Sequence, residues 1–355
     1  MNLRLVERIV NAVLYEGYIL YPYRPSAVKN RQRFNFGALC PESFSLAGSG
    51  TDAWSMQTET LVRGGPRTAV NVSARFLHLV AREVSAPIAD RGSPVADFKD
   101  EDFQIVESLE VGGQLFQTWQ EAIERDVTAP AVELNDIVME ARRLTFAFPT
   151  IRDIEHLRDA AGMTAGIIVR KQEAIEGTIE LRAEPAGDNL FKLSVRILNT
   201  TAMKGAEAKS RDQALMQSLV STHTILCVRE GEFVSLLDTP ESFREAAASC
   251  RNIGTWPVLV GEEGERDCML SSPIILYDYP QIAPESAGDL FDGTEIDEIL
   301  TLRIMTLTDE EKRAMRGVDE RARQILERTE TLPAEQMMKM HGAMRGLRTV
   351  REDEQ

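Results

Sequence analysis

The chain has 355 residues, 43% of them hydrophobic and 27% charged, enough apolar material for one large core or two ordinary ones, which excludes a wholly disordered chain. Its 56 acidic residues outnumber 40 basic ones for a formal net charge of -16, so neither nucleic acid nor an anionic membrane is expected as a partner. No apolar run approaches the roughly 20 residues that cross a bilayer, and Arg4, Glu7 and Arg8 near the start, with no small-residue cleavage site, lead us to expect a mature cytoplasmic protein.

In chain order, Leu5, Ile9 and Val13 recur at three-to-four spacing and predict an amphipathic helix from Leu3 to Tyr15, ended by Gly17. The next stretch, through Arg33, combines tyrosines with a cationic run, and Pro22 and Pro25 hold it extended. From about Trp54 to Asn199 the period becomes two: Val70, Val72, Ala74, Phe76, His78 and Val80 share one strand face, and Phe191, Leu193, Val195 and Ile197 another. The run TIELRAEPAGDNLFKLSVRI predicts a hairpin, because Gly187 and Asn189 supply the backbone that a return turn needs. Short helices or irregular connections are expected over Gln117 to Asp126 and Asn135 to Leu144.

After Gly205, THTILCVREGEFVSLLD predicts a strand pair turning at Glu230-Gly231-Glu232, PESFREAAASC a short helix, and WPVLVG and MLSSPIILYDY further strands. Thr294 with Asp297, and Thr308 with Glu311, carry the spacing of helix N-caps and predict a helical C-terminal part. The expected fold is α+β: an antiparallel β-rich central region and a mixed C-terminal part ending in helices. Three regions follow from it, 1–52, 53–204 and 205–355, the first packing on the rest.

No strong catalytic or metal motif stands out. Cys40, Cys227, Cys250 and Cys268 form no CxxC and the four histidines are scattered, so four reduced, mostly buried thiols and no metal or other cofactor are expected. Asp289, Asp292, Glu295 and Asp297 lack the EF-hand spacing and fit helix capping. Ser221 and Thr222 beside His223 come without an oxyanion-hole motif, and a histidine satisfied in a strand is the expected outcome. Met337, Met338, Met340 and Met344 around His341 read as an adaptable packing face.

All six tyrosines fall in two Pro-containing segments of opposite charge. The first holds Glu16, Tyr18, Tyr21, Tyr23, Arg24, Lys29, Asn30 and Arg33; the second holds Tyr277, Asp278, Tyr279 and Glu285, within a run from Asp267 to Glu298 that has no Lys or Arg. Tyrosines on alternate residues of an extended chain point to one side, so these pairs are expected to meet. They would form either an internal clasp or a binding surface, since Tyr and Arg are enriched at interface hot spots.

EGYILYPYRPSAVKNRQRFNFG, GTWPVLVG, MLSSPIILYDYPQIAPES and GDLFDGTEIDEILTLRIMTLTDEEK resemble a bacterial protein family associated with nickel-iron (NiFe) hydrogenase gene clusters. The resemblance runs from Ala12 to about Glu330 and implies a context, hydrogenase maturation, with no catalytic residue to transfer. The expected function is thus a non-enzymatic accessory or assembly factor that binds a protein partner, a hydrogenase subunit or maturation factor. Two alternatives stay open: an enzyme holding an anionic small molecule over Arg24, Lys29 and Arg33, with Glu16 or Asp278 as acid or base, and a structural subunit of a larger assembly.

Overall fold

The structure is a computed structural model that describes residues 3–15, 36–88, 102–281, 304–316 and 320–333. It is mostly antiparallel β-sheet. Helices are few, so the α+β expectation holds only loosely. Among the described residues eleven strands join one curled sheet, and two more form a separate hairpin.

Strand β1, Ser55–Pro87, is 33 residues long and would reach about 110 Å if straight, at roughly 3.3 Å per residue. It bends instead, and its length lets it collect neighbours. Along its first part it pairs with β10 (Leu190–Asn199), and farther on with β5 (Trp119–Glu133), while β11 (Val220–Val234) bridges both parts. Its last residues pair with β8 (Thr164–Gln172) and β2 (Phe103–Val106). Beyond β10 the sheet continues through β9 (Ile175–Gly187) to β6 (Arg142–Phe148), and beyond β11 through β13 (Cys268–Ser272) to β12 (Trp256–Leu259); β7 (Ile151–Arg158) lies outside β8. The separate hairpin, β3 (Ser108–Val111) and β4 (Gln114–Gln117), turns on Gly112 and Gly113, both at positive φ.

One bend in β1 lies at Gly64–Thr68, where its register with β11 slips. Thr68 Oγ1 donates to Glu230 O at 2.6 Å and accepts from Gly65 N at 2.9 Å. A Cβ on Gly64 or Gly231 would run into the Thr68 side chain, so both glycines are there for close approach. Glu230 takes a positive φ at this bend, but the chain does not turn back: β11 is one continuous strand beside β1, which corrects the hairpin expected at Glu230-Gly231-Glu232.

The β9–β10 hairpin forms as expected, with Asn189 at positive φ. Gln117 to Asp126, expected as helix or irregular, is mostly strand β5, and Asn135 to Leu144 is divided between a one-turn helix and the start of β6. Pairing with β1 and β9 overrides the weak local pattern there. Among the described residues the α-helices in chain order are α1 (Leu3–Leu14), α2 (Glu42–Ala47), α3 (Leu134–Met139), α4 (Arg211–Leu215), α5 (Arg244–Ala248), α6 (Asp309–Arg316) and α7 (Glu320–Thr331). Thr308 and Glu311 close a reciprocal capping box at the start of α6, as their spacing predicts. The Thr294–Asp297 cap, the acids from Asp289 to Asp297 and the Met337–Met344 group lie outside the described residues.

The main core fills the concave side of the sheet. Val70, Val72, Ala74 and Phe76 of β1 face Ile175, Ile179 and Leu181 of β9 and Leu193, Val195 and Ile197 of β10. Phe146 lies 5.8 Å and Phe148 6.1 Å from Phe76, ring centre to ring centre. Phe146 stands opposite Gly177 and covers it, in the space a Cβ there would need. On the convex side, α1 lays Val6, Ile9, Val10 and Val13 on Val258, Leu270 and Leu276. Cys227 and Cys268 lie in that same layer, joined by a disulfide, with Cys40 and Cys250 free. This corrects the expectation of four reduced thiols: spacing in sequence could not show that two cysteines 41 residues apart face each other across paired strands.

Phe76 is fully buried between the aromatic pair and the sheet, so Phe76→Ala is expected to lower unfolding stability by about 3–5 kcal/mol, read as a shift in the urea midpoint.

Candidate functional site

Of the expected site residues, Glu16, Tyr18, Tyr21, Tyr23, Arg24, Lys29, Asn30, Arg33 and Glu285 lie outside the described residues. Tyr277, Asp278 and Tyr279 are described. They follow β13 and run back along the side of β12 away from β13, where Tyr279 N donates to Leu259 O at 2.8 Å.

Asp278 fastens this segment. Its Oδ1 accepts from Leu259 N at 2.8 Å and its Oδ2 accepts from the Ser235 hydroxyl. Ser235 Oγ in turn accepts from Leu237 N and Asp238 N, so one carboxylate ties the end of β12 to the turn after β11. A carboxylate using both oxygens in this way acts as a structural fastener.

Tyr277 and Tyr279 do not share a side. Tyr279 has φ +56°, which breaks the alternation of an extended chain. Its ring packs against the main core, whereas Tyr277 is 84% exposed. The alternation holds one step earlier: Leu276 points into the layer under α1, while Ile275 and Tyr277 point outward. Trp256 on β12, Ile253 just before it and Leu237 beside Ser235 are also exposed. Sequence reasoning found Tyr277 but missed the other four, because an exposed apolar residue looks like a core residue until the face is known.

A second feature is a cleft of about 450 Å³ between α1 and the convex face of β1 and β5. Glu7, Asn11, Ser73, Arg75 and Asp126 line it, with Ile225 and Cys227. Arg75 is held by Glu124 at 2.8 Å, and Asp126 accepts from Thr128 Oγ1 at 3.1 Å. The Asn11 Oδ1 is buried with no hydrogen-bond partner among the described residues. Polar side chains of three elements thus border an apolar floor.

His223 is fully buried with its Nδ1 2.8 Å from Ser221 O, but its Nε2 has no hydrogen-bond partner among the described residues, so the satisfied histidine that was expected is met at one ring nitrogen alone. Ser221 Oγ has no hydrogen-bond partner among the described residues. His78 sits on the core side, its Nε2 2.9 Å from Glu173 O. Near it Arg125 stacks on Phe148 at 4.4 Å and donates to Gln172 Oε1 at 2.7 Å. Burial pushes both histidines down to about 4 and pushes the free Cys250 thiol up to about 11, which leaves that thiol unreactive near neutral pH.

No described helix is long and apolar enough to cross a membrane. No protein-family model matches the chain, and no curated protein matches it significantly.

Both buried histidines are neutral in the folded chain, whereas in the unfolded chain they take up a proton near pH 6.5. The unfolded state therefore binds more protons between about pH 6.5 and 4, and stability is full above that window and falls as pH drops through it. Urea midpoints measured from pH 7.5 to 4.5 are expected to decline, and His223→Gln is expected to flatten the decline.

Proposed function

We propose that the protein is a non-enzymatic accessory or assembly factor of the cytoplasm that acts by binding a protein partner through the β12 edge of its sheet. The observation that carries this reading is the group of exposed Trp256, Ile275 and Tyr277 on backbone pinned by Asp278. Large apolar side chains held outward on ordered backbone lose little entropy on binding, and Trp and Tyr supply most hot spots. Ile253 and Leu237 are exposed as well. The partner proposed is a nickel-iron hydrogenase subunit or maturation factor. That choice rests on the resemblance of GTWPVLVG and MLSSPIILYDYPQIAPES, two stretches that contain Trp256 and Tyr277.

The rival reading, an enzyme holding an anionic small molecule over Arg24, Lys29 and Arg33, rests on residues outside the described ones; a cleft that is described is the one beside α1. Its Glu7 and Asp126 carboxylates, with Arg75 already paired, suit a cationic ligand better than the anionic one expected from the basic N-terminal segment.

Co-expression with hydrogenase subunits and maturation factors, followed by size-exclusion chromatography, tests the leading reading. Co-elution is expected, and Trp256→Ala or Tyr277→Ala is expected to weaken it by about 30-fold in Kd, the effect of a 2 kcal/mol hot spot. Failure to co-elute removes the hydrogenase assignment, and full affinity in both variants removes the β12 edge.

A further inference from the structure

We propose that the Cys227–Cys268 disulfide is a thiol–disulfide exchange site reached through the cleft beside α1, and that opening it loosens α1 from the sheet. The two cysteines stand directly opposite each other on β11 and β13, with Cα atoms 4.3 Å apart, the spacing of a non-hydrogen-bonded antiparallel pair. The ladder bond is made by the next pair, from Val228 N to Asp267 O at 2.8 Å. Access to the two sulfurs is unequal. Cys227 is 9% exposed and lines the cleft, whereas Cys268 is 1% exposed and does not. A thiol entering the cleft therefore meets Cys227.

The exchange balances with a dithiol as reductant. One thiolate of the dithiol attacks Cys227 Sγ; a mixed disulfide forms as the Cys227–Cys268 bond breaks, and the electron pair leaves on Cys268 Sγ, which takes up a proton. The second thiolate then attacks the dithiol's own sulfur in the mixed disulfide, and Cys227 leaves and is protonated in turn. The reductant ends as a disulfide, and the protein has gained two electrons, two protons and two thiols. Such reversible chemistry is the usual role of a disulfide in a reducing compartment.

The cleft selects the incoming thiol by charge. Glu7 and Asp126 add two carboxylates at its walls, while Arg75 is offset by Glu124, so a cationic thiol is favoured over an anionic one. The responding element is α1, because Val6, Ile9, Val10 and Val13 share one apolar layer with both sulfurs. Reduction moves the sulfurs from bonding distance to van der Waals contact, and Cys268, buried away from the cleft, must push into the packed layer under α1. The strands stay paired: β13 keeps its ladders to both β11 and β12.

The test treats the purified full-length chain with cysteamine, 2-mercaptoethanol or 2-mercaptoethanesulfonate at low salt. Each rate is divided by that thiol's rate with a free cystine peptide. Alkylation and peptide mapping locate the mixed disulfide, and hydrogen exchange follows α1 before and after reduction by dithiothreitol. The adduct is expected on Cys227, with cysteamine favoured over the sulfonate by about ten-fold. That preference is expected to shrink in a Glu7→Gln/Asp126→Asn variant, and α1 amides are expected to exchange faster once the bond is open. Adducts divided equally between the two cysteines, charge-independent rates, unchanged α1 exchange, or four free thiols in protein alkylated at lysis would each overturn the proposal.

Discussion

Backbone pairing along β1 is the constraint on which the rest depends. A strand of 33 residues cannot stay straight inside a compact domain, and it cannot leave its donors and acceptors unpaired once buried. It resolves both demands by bending and taking different partners along its length: β10 first, then β5, and finally β8 and β2, with β11 along the other side. The bend brings the concave face of β1 onto β9 and β10, and the main core is the consequence. The convex face needs its own cover, which α1 supplies over β11, β12 and β13.

That division of faces also separates the two places where chemistry or recognition could occur. The β12 edge is held by one carboxylate, Asp278, whose two oxygens reach the backbone of β12 and the turn after β11. Trp256 of β12 and Tyr277 beside Asp278 are both exposed. The cleft exists because α1 covers only part of the convex face: its apolar side seats on β12 and β13, while Glu7 and Asn11 face the polar row Ser73 and Arg75 of β1. The disulfide lies where the covered and the open parts meet.

Much of the strand structure was legible. The alternation of Val70, Val72, Ala74 and Phe76 marks one buried face, and the β9–β10 hairpin is signalled by Asn189 at its turn. Local signals misled where long-range pairing decided the outcome. Glu230-Gly231-Glu232 has turn chemistry, yet Thr68 of the neighbouring strand occupies the space beside Gly231 and converts a turn into a bend. Likewise YDYP has the alternation of a strand, but the positive φ of Tyr279 sends its ring inward and leaves Tyr277 outside. Of the residues expected to bind, the described ones divide between a fastener, a ring packed on the core and an exposed ring.

By itself, then, the amino-acid order determined the amphipathic α1, the period-two strands, the capping box of Thr308 and Glu311, and an acid-rich surface, because each depends on neighbours within a few positions or on composition alone. Only the tertiary structure decided that Cys227 meets Cys268, that Asp278 serves the backbone, and that Trp256 and Ile275 face solvent. Those outcomes depend on strand register and on which face α1 covers. Register is a property of pairs far apart in the chain, and a shift of one residue turns a strand's side chains to the opposite face.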